Sequence, residues 1–267
     1  MPGSNNQTIT GPSGNGENLT LIEVHQVSKK FGSLIAVTDV TFTVKAGNIC
    51  GLVGSDGAGK TTLLRMIATM IRPTGGSILV DGLDVVVQRS GVKEIIGYMP
   101  QRFGLYQDLT VGENLDFFMD IYGITGAERT RRRDTYLGFS NLLPFLDRQA
   151  GDLSGGMKQK LGLACVLVHQ PKVLILDEPT NGVDPISRRE FWDILTEMRH
   201  NGMTILVATA YLDEGEKCDR LILMHNARVL DVATPRDIKA DFADLEEAMI
   251  HRILATDAAV VEDNFGS

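Results

Sequence analysis

Eight consecutive residues, Gly54-Ser55-Asp56-Gly57-Ala58-Gly59-Lys60-Thr61, place a glycine, four free positions and then Gly-Lys-Thr. These residue types can hold a phosphate chain. Glycines let backbone N–H groups curl around phosphate oxygens, Lys60 reaches the terminal phosphates, and the Thr61 hydroxyl can meet Mg2+. The loop works only between a strand and a helix, because the helix N-terminus adds the positive end of its dipole. An apolar, strand-like run at 49–53 precedes it, and a helix-like run at 61–71 follows. Lys60 is expected to project from a solvent-facing loop. This stretch alone says "nucleotide phosphate" and not what the nucleotide is for.

Residues 173–178 read Val-Leu-Ile-Leu-Asp-Glu. A buried parallel strand would deliver Asp177 and Glu178 at its C-terminal edge, where α/β sheets place ligands. Asp177 suits a Mg2+ water shell, and Glu178 suits polarising an attacking water. Phosphoryl transfer needs both tasks, since its catalysis is positioning and charge stabilisation. Taken alone, the same residues could be a strand ending in a solvated acidic turn.

Residues 153–159 read Leu-Ser-Gly-Gly-Met-Lys-Gln ahead of a helix-like run at 160–168. Ser154 can cap that helix, and Gly155 and Gly156 expose backbone N–H groups. This is a second anion-binding helix start in a chain that already has one. It is expected to cradle a nucleotide held by a different subunit.

Apolar runs at 21–24, 41–44, 49–53, 78–80, 96–99, 173–176, 204–207 and 221–224 read as strands. From 173 onward they alternate with helical patterns at 185–200 and 211–217, which means an α/β fold with a mostly parallel sheet. The pieces at 21–44 look like a small antiparallel addition. Between 110 and 145 there is no strand pattern. Val111, Leu115, Phe118 and Tyr122 share a helical face, as do Tyr136, Phe139 and Leu143, so this reads as an inserted helical subdomain. Arg129, Arg131, Arg132 and Arg133 lie on it, either as a basic patch or as a solvated face. A helix is expected at 238–253, with a tail or linker from 256. Residues 1–18, rich in Asn, Gly, Ser and Thr, are expected to form a flexible tail.

The chain has 267 residues, 43% of them hydrophobic, and a formal charge of -8. A full core is available, and the acidic balance argues against a nucleic-acid partner. Cys50, Cys165 and Cys218 form no CxxC pair and read as reduced core thiols of a cytosolic protein. No apolar run approaches the ~20 residues of a membrane span, and no secretory signal is expected.

Together these motifs resemble those of the ATP-binding-cassette (ABC) ATPases. Residues 54–62, through Thr62, resemble Walker A, and Gln101 resembles the Q-loop. Residues 153–159 resemble the signature, and 173–178 resemble Walker B. Asn181-Gly182-Val183-Asp184 resembles the D-loop, and Phe31 sits where the family stacks adenine. The resemblance covers residues 20 to 235. It implies a P-loop NTPase (RecA-like) core over 19–237, with the helical subdomain at about 102–160 and a C-terminal helix and tail or linker at 238–267. It implies ATP and Mg2+ as ligands, with Thr61, Gln101 and Asp177 at the metal and Glu178 and Gln101 in catalysis. Residues 97–111, Gly-Tyr-Met-Pro-Gln-Arg-Phe-Gly-Leu-Tyr-Gln-Asp-Leu-Thr-Val, and 154–165, Ser-Gly-Gly-Met-Lys-Gln-Lys-Leu-Gly-Leu-Ala-Cys, look like ABC-2 type exporter ATPases. Within these they most resemble the first cassette of tandem-cassette multidrug exporters. The implied partners are an ABC-2 type transmembrane permease and a second cassette, a copy or a different one, separate or on the same polypeptide. The implied location is the cytoplasmic face of the inner membrane, held peripherally.

Two positions depart from the pattern. The family carries Thr-His after the strand at 204–207, and this chain has Thr209-Ala210. A methyl group cannot hydrogen-bond a γ-phosphate. His25, His169, His200 and His225 read as surface or structural residues. Asp56 stands where the family usually has Asn, and its carboxylate is expected to turn away from the phosphates or towards a partner. Two other readings stand beside the exporter ATPase: a soluble cassette protein acting on ribosomes or DNA, and a cassette that only binds ATP and regulates.

Overall fold

The structure, a computed structural model, describes residues 19–265. The tail expected at 1–18 lies outside the described residues. In chain order the elements are β1 (Thr20–Phe31), β2 (Leu34–Lys45), β3 (Ile49–Gly54), α1 (Lys60–Ile67), β4 (Gly75–Val80), β5 (Leu83–Asp84), α2 (Arg89–Ile95) and β6 (Ile96–Met99). Then come α3 (Val111–Ile121), α4 (Gly126–Phe139), α5 (Gly155–Leu167), β7 (Val173–Asp177), α6 (Pro185–His200) and β8 (Thr204–Thr209). The last are α7 (Leu212–Gly215), β9 (Arg220–His225), β10 (Arg228–Ala233), α8 (Pro235–Lys239) and α9 (Leu245–Phe265).

Strands β3, β7 and β8 are buried at every residue. Such continuous apolar runs suit a parallel sheet covered on both faces. They lie in a six-stranded sheet of order β10-β9-β3-β8-β7-β6, parallel except for the β9–β10 hairpin. A second sheet, β2-β1-β4-β5, is antiparallel. Its core side packs with α1 against one face of the parallel sheet, through Ile22, Val24, Val37, Leu63, Leu64 and Ile67. On the other face, α6 brings Phe191, Trp192 and Leu195, and α9 brings Leu245 and Met249. The α/β core with an antiparallel addition is therefore as expected.

Helices α3, α4 and α5 enclose a third core around Val111, Leu115, Met119, Leu137, Leu161 and Cys165. Helix α3 starts with a capping box, in which Thr110 and Glu113 exchange side-chain and backbone bonds. The buried Asn114 accepts from the N–H of Tyr106 and donates to the carbonyls of Tyr106, Leu109 and Thr110. That network holds the loop leading from Gln101 into the subdomain. The arginines of α4 are paired rather than free: Arg129 and Arg133 meet Asp116, Arg129 also meets Asp120, and Arg131 and Arg132 meet Glu128. The face is charge-balanced rather than a free basic patch, but only Arg131 is exposed and the other three arginines are half-buried.

The structure contains elements that the residue pattern does not announce, strands β5 and β10 and helix α2. The C-terminal helical region divides into α8 and α9, and α9 continues to Phe265, past the expected start of a tail. The three cysteines are free and buried, as expected. Burial raises the Cys50 thiol to about 12, so it is an unreactive core group.

Candidate active site

The loop of interest leaves the C-terminal end of β3, the third strand from one edge of the six-stranded sheet. Two of its glycines are there because nothing larger fits. A Cβ on Gly54 would lie 2.3 Å from the Met224 carbonyl oxygen, and one on Gly59 would lie 2.4 Å from that of Ala36. Gly59 also has φ 102, in the left-handed region. Ser55, Asp56 and Gly57 are exposed, Ala58 is buried, and Thr61 and Thr62 are half-buried in the first turn of α1.

Lys60 is 4% exposed, which corrects the expected solvent-facing side chain. The loop wraps its own lysine. The ammonium donates to the carbonyls of Gly54 at 2.7 Å and Ser55 at 3.1 Å, and lies 3.3 Å from Glu178 Oε1. Oxygen acceptors already converge on it, and phosphate oxygens present the same chemistry.

Thr61 Oγ1 donates to Asp177 Oδ1 at 2.8 Å, and the Tyr98 hydroxyl donates to Asp177 Oδ2 at 3.2 Å. Asp177 is buried. Desolvation holds its carboxyl above the ordinary range, against the lowering effect of the Thr61 and Tyr98 bonds. A hydroxyl and a carboxylate are hard oxygen donors of the kind Mg2+ takes. That ion uses one or two carboxylates plus substrate phosphates rather than a full protein cage. Among the described residues no cluster of three or more His, Cys, Asp or Glu side chains forms such a cage. The residues present therefore fit Mg2+ bound together with a nucleotide.

Glu178 follows β7 with φ 50, and its N–H donates to the Ala208 carbonyl at 3.0 Å. A left-handed non-glycine residue costs about 1–3 kcal/mol and persists only where its surroundings fix it. Here they do. Gln101 Nε2 donates to Oε2 at 3.1 Å and Asn181 Nδ2 at 3.2 Å, while Lys60 faces Oε1. Gln101, Lys60, Thr61, Asp177 and Glu178 are separated by up to 118 positions in the chain, and the fold brings them together.

Beside Glu178 is a cavity of about 200 Å³ lined by Asp56, Thr180, Asn181, Thr209, Ala210 and Tyr211. Asp56 is exposed at its rim. No histidine lines it. His169 instead lies 3.0 Å from the Ile96 carbonyl and stacks on Tyr122, and His25 is exposed in β1. At the end of β1, Phe31 is 47% exposed, with the Lys29 ammonium 4.8 Å from its ring centroid.

The second glycine turn stands apart from this cavity. Ser154 caps α5 by accepting the Met157 N–H at 3.3 Å, and Gly155 has open space around it. Gly156 is buried, because a Cβ there would lie 2.3 Å from the Cβ of Ser187 on α6. The structure thus gives Gly156 a packing reason that sequence reading did not. Sequence reading also missed Thr180, Thr209 and Glu214, which join beneath the cavity. Nothing local marks them, because the bonds depend on where separate loops end.

A sequence model of the family described as ABC transporter matches residues 37–181. The Escherichia coli (strain K12) protein "Probable multidrug ABC transporter ATP-binding protein YbhF" is 47% identical over 228 residues, covering 85% of this chain and 39% of that protein. The chain thus spans about two fifths of that relative's length. "Nod factor export ATP-binding protein I" of Burkholderia lata is 38% identical over 215 residues, covering 80% of this chain and 71% of that one. Among solved structures, one titled "Structure of ATP binding subunit of ABC transporter" superposes with a TM-score of 0.78 at 31% identity. It covers 88% of this chain and 100% of its own.

Proposed function

The chain belongs to the ABC transporter family, and from that premise we propose that it binds ATP with Mg2+ and hydrolyses it to ADP and phosphate. It does so as the ATP-binding subunit of a membrane exporter. The observation that carries this reading is the meeting of Lys60, Thr61, Asp177, Glu178 and Gln101 at the C-terminal edge of the parallel sheet.

Lys60 binds the β- and γ-phosphates with its point charge. Thr61 and Asp177, with Gln101, hold the metal, whose charge offsets that of the phosphates. Phe31 stacks the adenine. Glu178 orients the attacking water and takes a proton from it as the water oxygen bonds to the γ-phosphorus and the bond to ADP breaks. Ser154, Gly155 and Gly156 face the γ-phosphate held by a second cassette in a head-to-tail pair. The names of the relatives support drug or small-molecule export, with an ABC-2 type permease as membrane partner. The second cassette is a copy, a different subunit or a further part of the same polypeptide. Among the described residues no helix is long and apolar enough to cross a membrane. In this reading the chain is held peripherally at the cytoplasmic face by that permease.

Ala210 supports a second reading, a cassette that binds ATP with weak or no turnover and leaves hydrolysis to its partner. Co-purification from membranes with a permease encoded beside this chain, followed by an ATPase assay, tests the main reading. Recovery of a complex with ATP-dependent turnover is expected. A chain that never enters the membrane fraction with that permease would overturn the exporter assignment.

A further inference from the structure

Beneath the cavity lies a carboxylate that the proposed mechanism does not use. Glu214, on α7, is fully buried. Its Oε1 accepts the Thr180 hydroxyl at 2.6 Å and its Oε2 accepts the Thr209 hydroxyl at 2.6 Å. Thr180 comes two residues after Glu178, and Thr209 immediately precedes Ala210. Both threonines are buried, and the Thr209 hydroxyl also accepts the Tyr211 N–H at 3.0 Å. One side chain therefore ties the loop that carries the water-orienting carboxylate to the loop at the family's histidine position.

A third element reaches the same carboxylate. Arg188, in the first turns of α6, places Nε 3.7 Å from Glu214 Oε1 and donates to Asp213 at 2.9 Å. Its guanidinium lies 4.6 Å from the centroid of the Tyr211 ring. Arg188 follows the loop 181–184 and stands two residues from Ile186, which is 74% exposed. A carboxylate needed only to fill space would be replaced in most cores by an apolar residue, since burying a charge without partners is unfavourable. Here two hydroxyls bond it and a guanidinium stands at ion-pair distance, and the three partners come from separate places, the loop after β7, the end of β8 and the first turns of α6. Glu178 itself has the left-handed backbone that its surroundings must hold.

We propose that Glu214 is a positioning residue for ATP hydrolysis. Through Arg188 it links the exposed loop ahead of α6 to the placement of Glu178. A partner pressing on residues 181–186 displaces the first turns of α6. Arg188 carries that displacement to Glu214, and the two threonine bonds carry it to both walls of the cavity. This rests on the hydrolytic reading above.

The test measures single-turnover ATP conversion with the full chain in excess, so that slow chemistry is still read, together with MgADP affinity and thermal midpoint. Glu214→Gln leaves one hydroxyl without its charged acceptor and removes the attraction for Arg188. Its rate constant should fall about tenfold or more with MgADP affinity within about twofold, because the P-loop contacts are untouched. Arg188→Met, at a side chain 24% exposed, should lower the rate in the same direction and folds even where the first variant does not. The double variant should be no slower than the slower single, since the two residues act along one link. Additive losses, an unchanged rate in both variants, or affinity falling in step with rate would each overturn the proposal. Wild-type chain that binds ATP but converts none would overturn the hydrolytic reading itself, and this proposal with it.

Discussion

Lys60 Nζ and Glu178 Oε1 face each other at 3.3 Å, both side chains nearly sealed from solvent. The two charges answer each other where a nucleotide's phosphates would otherwise take the lysine. Breaking a buried pair costs about 3–5 kcal/mol when the remaining charge is left alone. Glu178 is not left alone, because Gln101 and Asn181 still donate to it. Lys60→Ala should therefore fold, with a lowered thermal midpoint, and should bind MgATP at least ~10-fold more weakly, about 1.4 kcal/mol or more. Calorimetry on the folded variant checks this. Wild-type affinity would remove the phosphate-binding role from this loop.

Much of this arrangement was legible in the sequence, for a physical reason. Strands β3, β7 and β8 are apolar on both faces, so their runs announce themselves without alternation. The residues proposed to meet phosphate and metal lie in short runs at the end of β7 and at the start of α1 after β3, so local spacing reveals them. Other features depend on distance in space. Lys60 is buried because its own loop wraps it and Glu178, just past the end of another strand, lies 3.3 Å away. Glu214 has its role because Thr180 lies 34 positions away in the chain and 2.6 Å away in the fold. Strand β10 interrupts its apolar residues with Arg228 and Asp231, and it follows a turn at Asn226 and Ala227 with positive φ. Its pairing with β9 identifies it better than its composition does.

Asp177 makes the chain's pH response specific. Its folded carboxyl titrates above the ordinary carboxylate value because burial disfavours its charge. Between the ordinary and the raised value the folded chain binds more protons than the unfolded one. Its contribution to stability is therefore greatest at low pH and declines as pH rises through that window. Asp177→Asn removes this decline. Its thermal midpoint at neutral pH should be equal to or above wild type, while Mg2+-dependent ATP hydrolysis is lost. A midpoint well below wild type, with the same pH dependence, would show that Asp177 supports the fold rather than the metal.

Glu178→Gln should keep the donors and the metal groups while removing the proton acceptor. MgATP then persists uncleaved, and paired cassettes remain closed over it with Ser154 of one chain facing the nucleotide of the other. Light scattering should show a monomer without nucleotide and a dimer at saturating MgATP. A monomer under both conditions would exclude self-pairing and leave a different cassette as the partner.

Ala210 sets the most exposed expectation. The loop around it is well ordered by contacts: the Thr209 hydroxyl is fixed by Glu214 and accepts the Tyr211 N–H, and the cavity of about 200 Å³ beyond the methyl group has room for an imidazole. Removing one charge-stabilising donor from such a site commonly costs ~10²–10³ in rate, about 2.7–4 kcal/mol. The wild-type chain alone should therefore bind MgATP well and release phosphate very slowly. Ala210→His should raise that rate, because Glu178 already lines the cavity, with Gln101 and Lys60 held against its carboxylate. In a mixed pair the chain would still offer Ser154 to a partner site that keeps its own histidine, giving one fast and one slow site. Phosphate release at saturating MgATP, measured for both forms, decides the matter. A fast wild type that gains nothing from the histidine would show that another group in this cavity already supplies the missing contact.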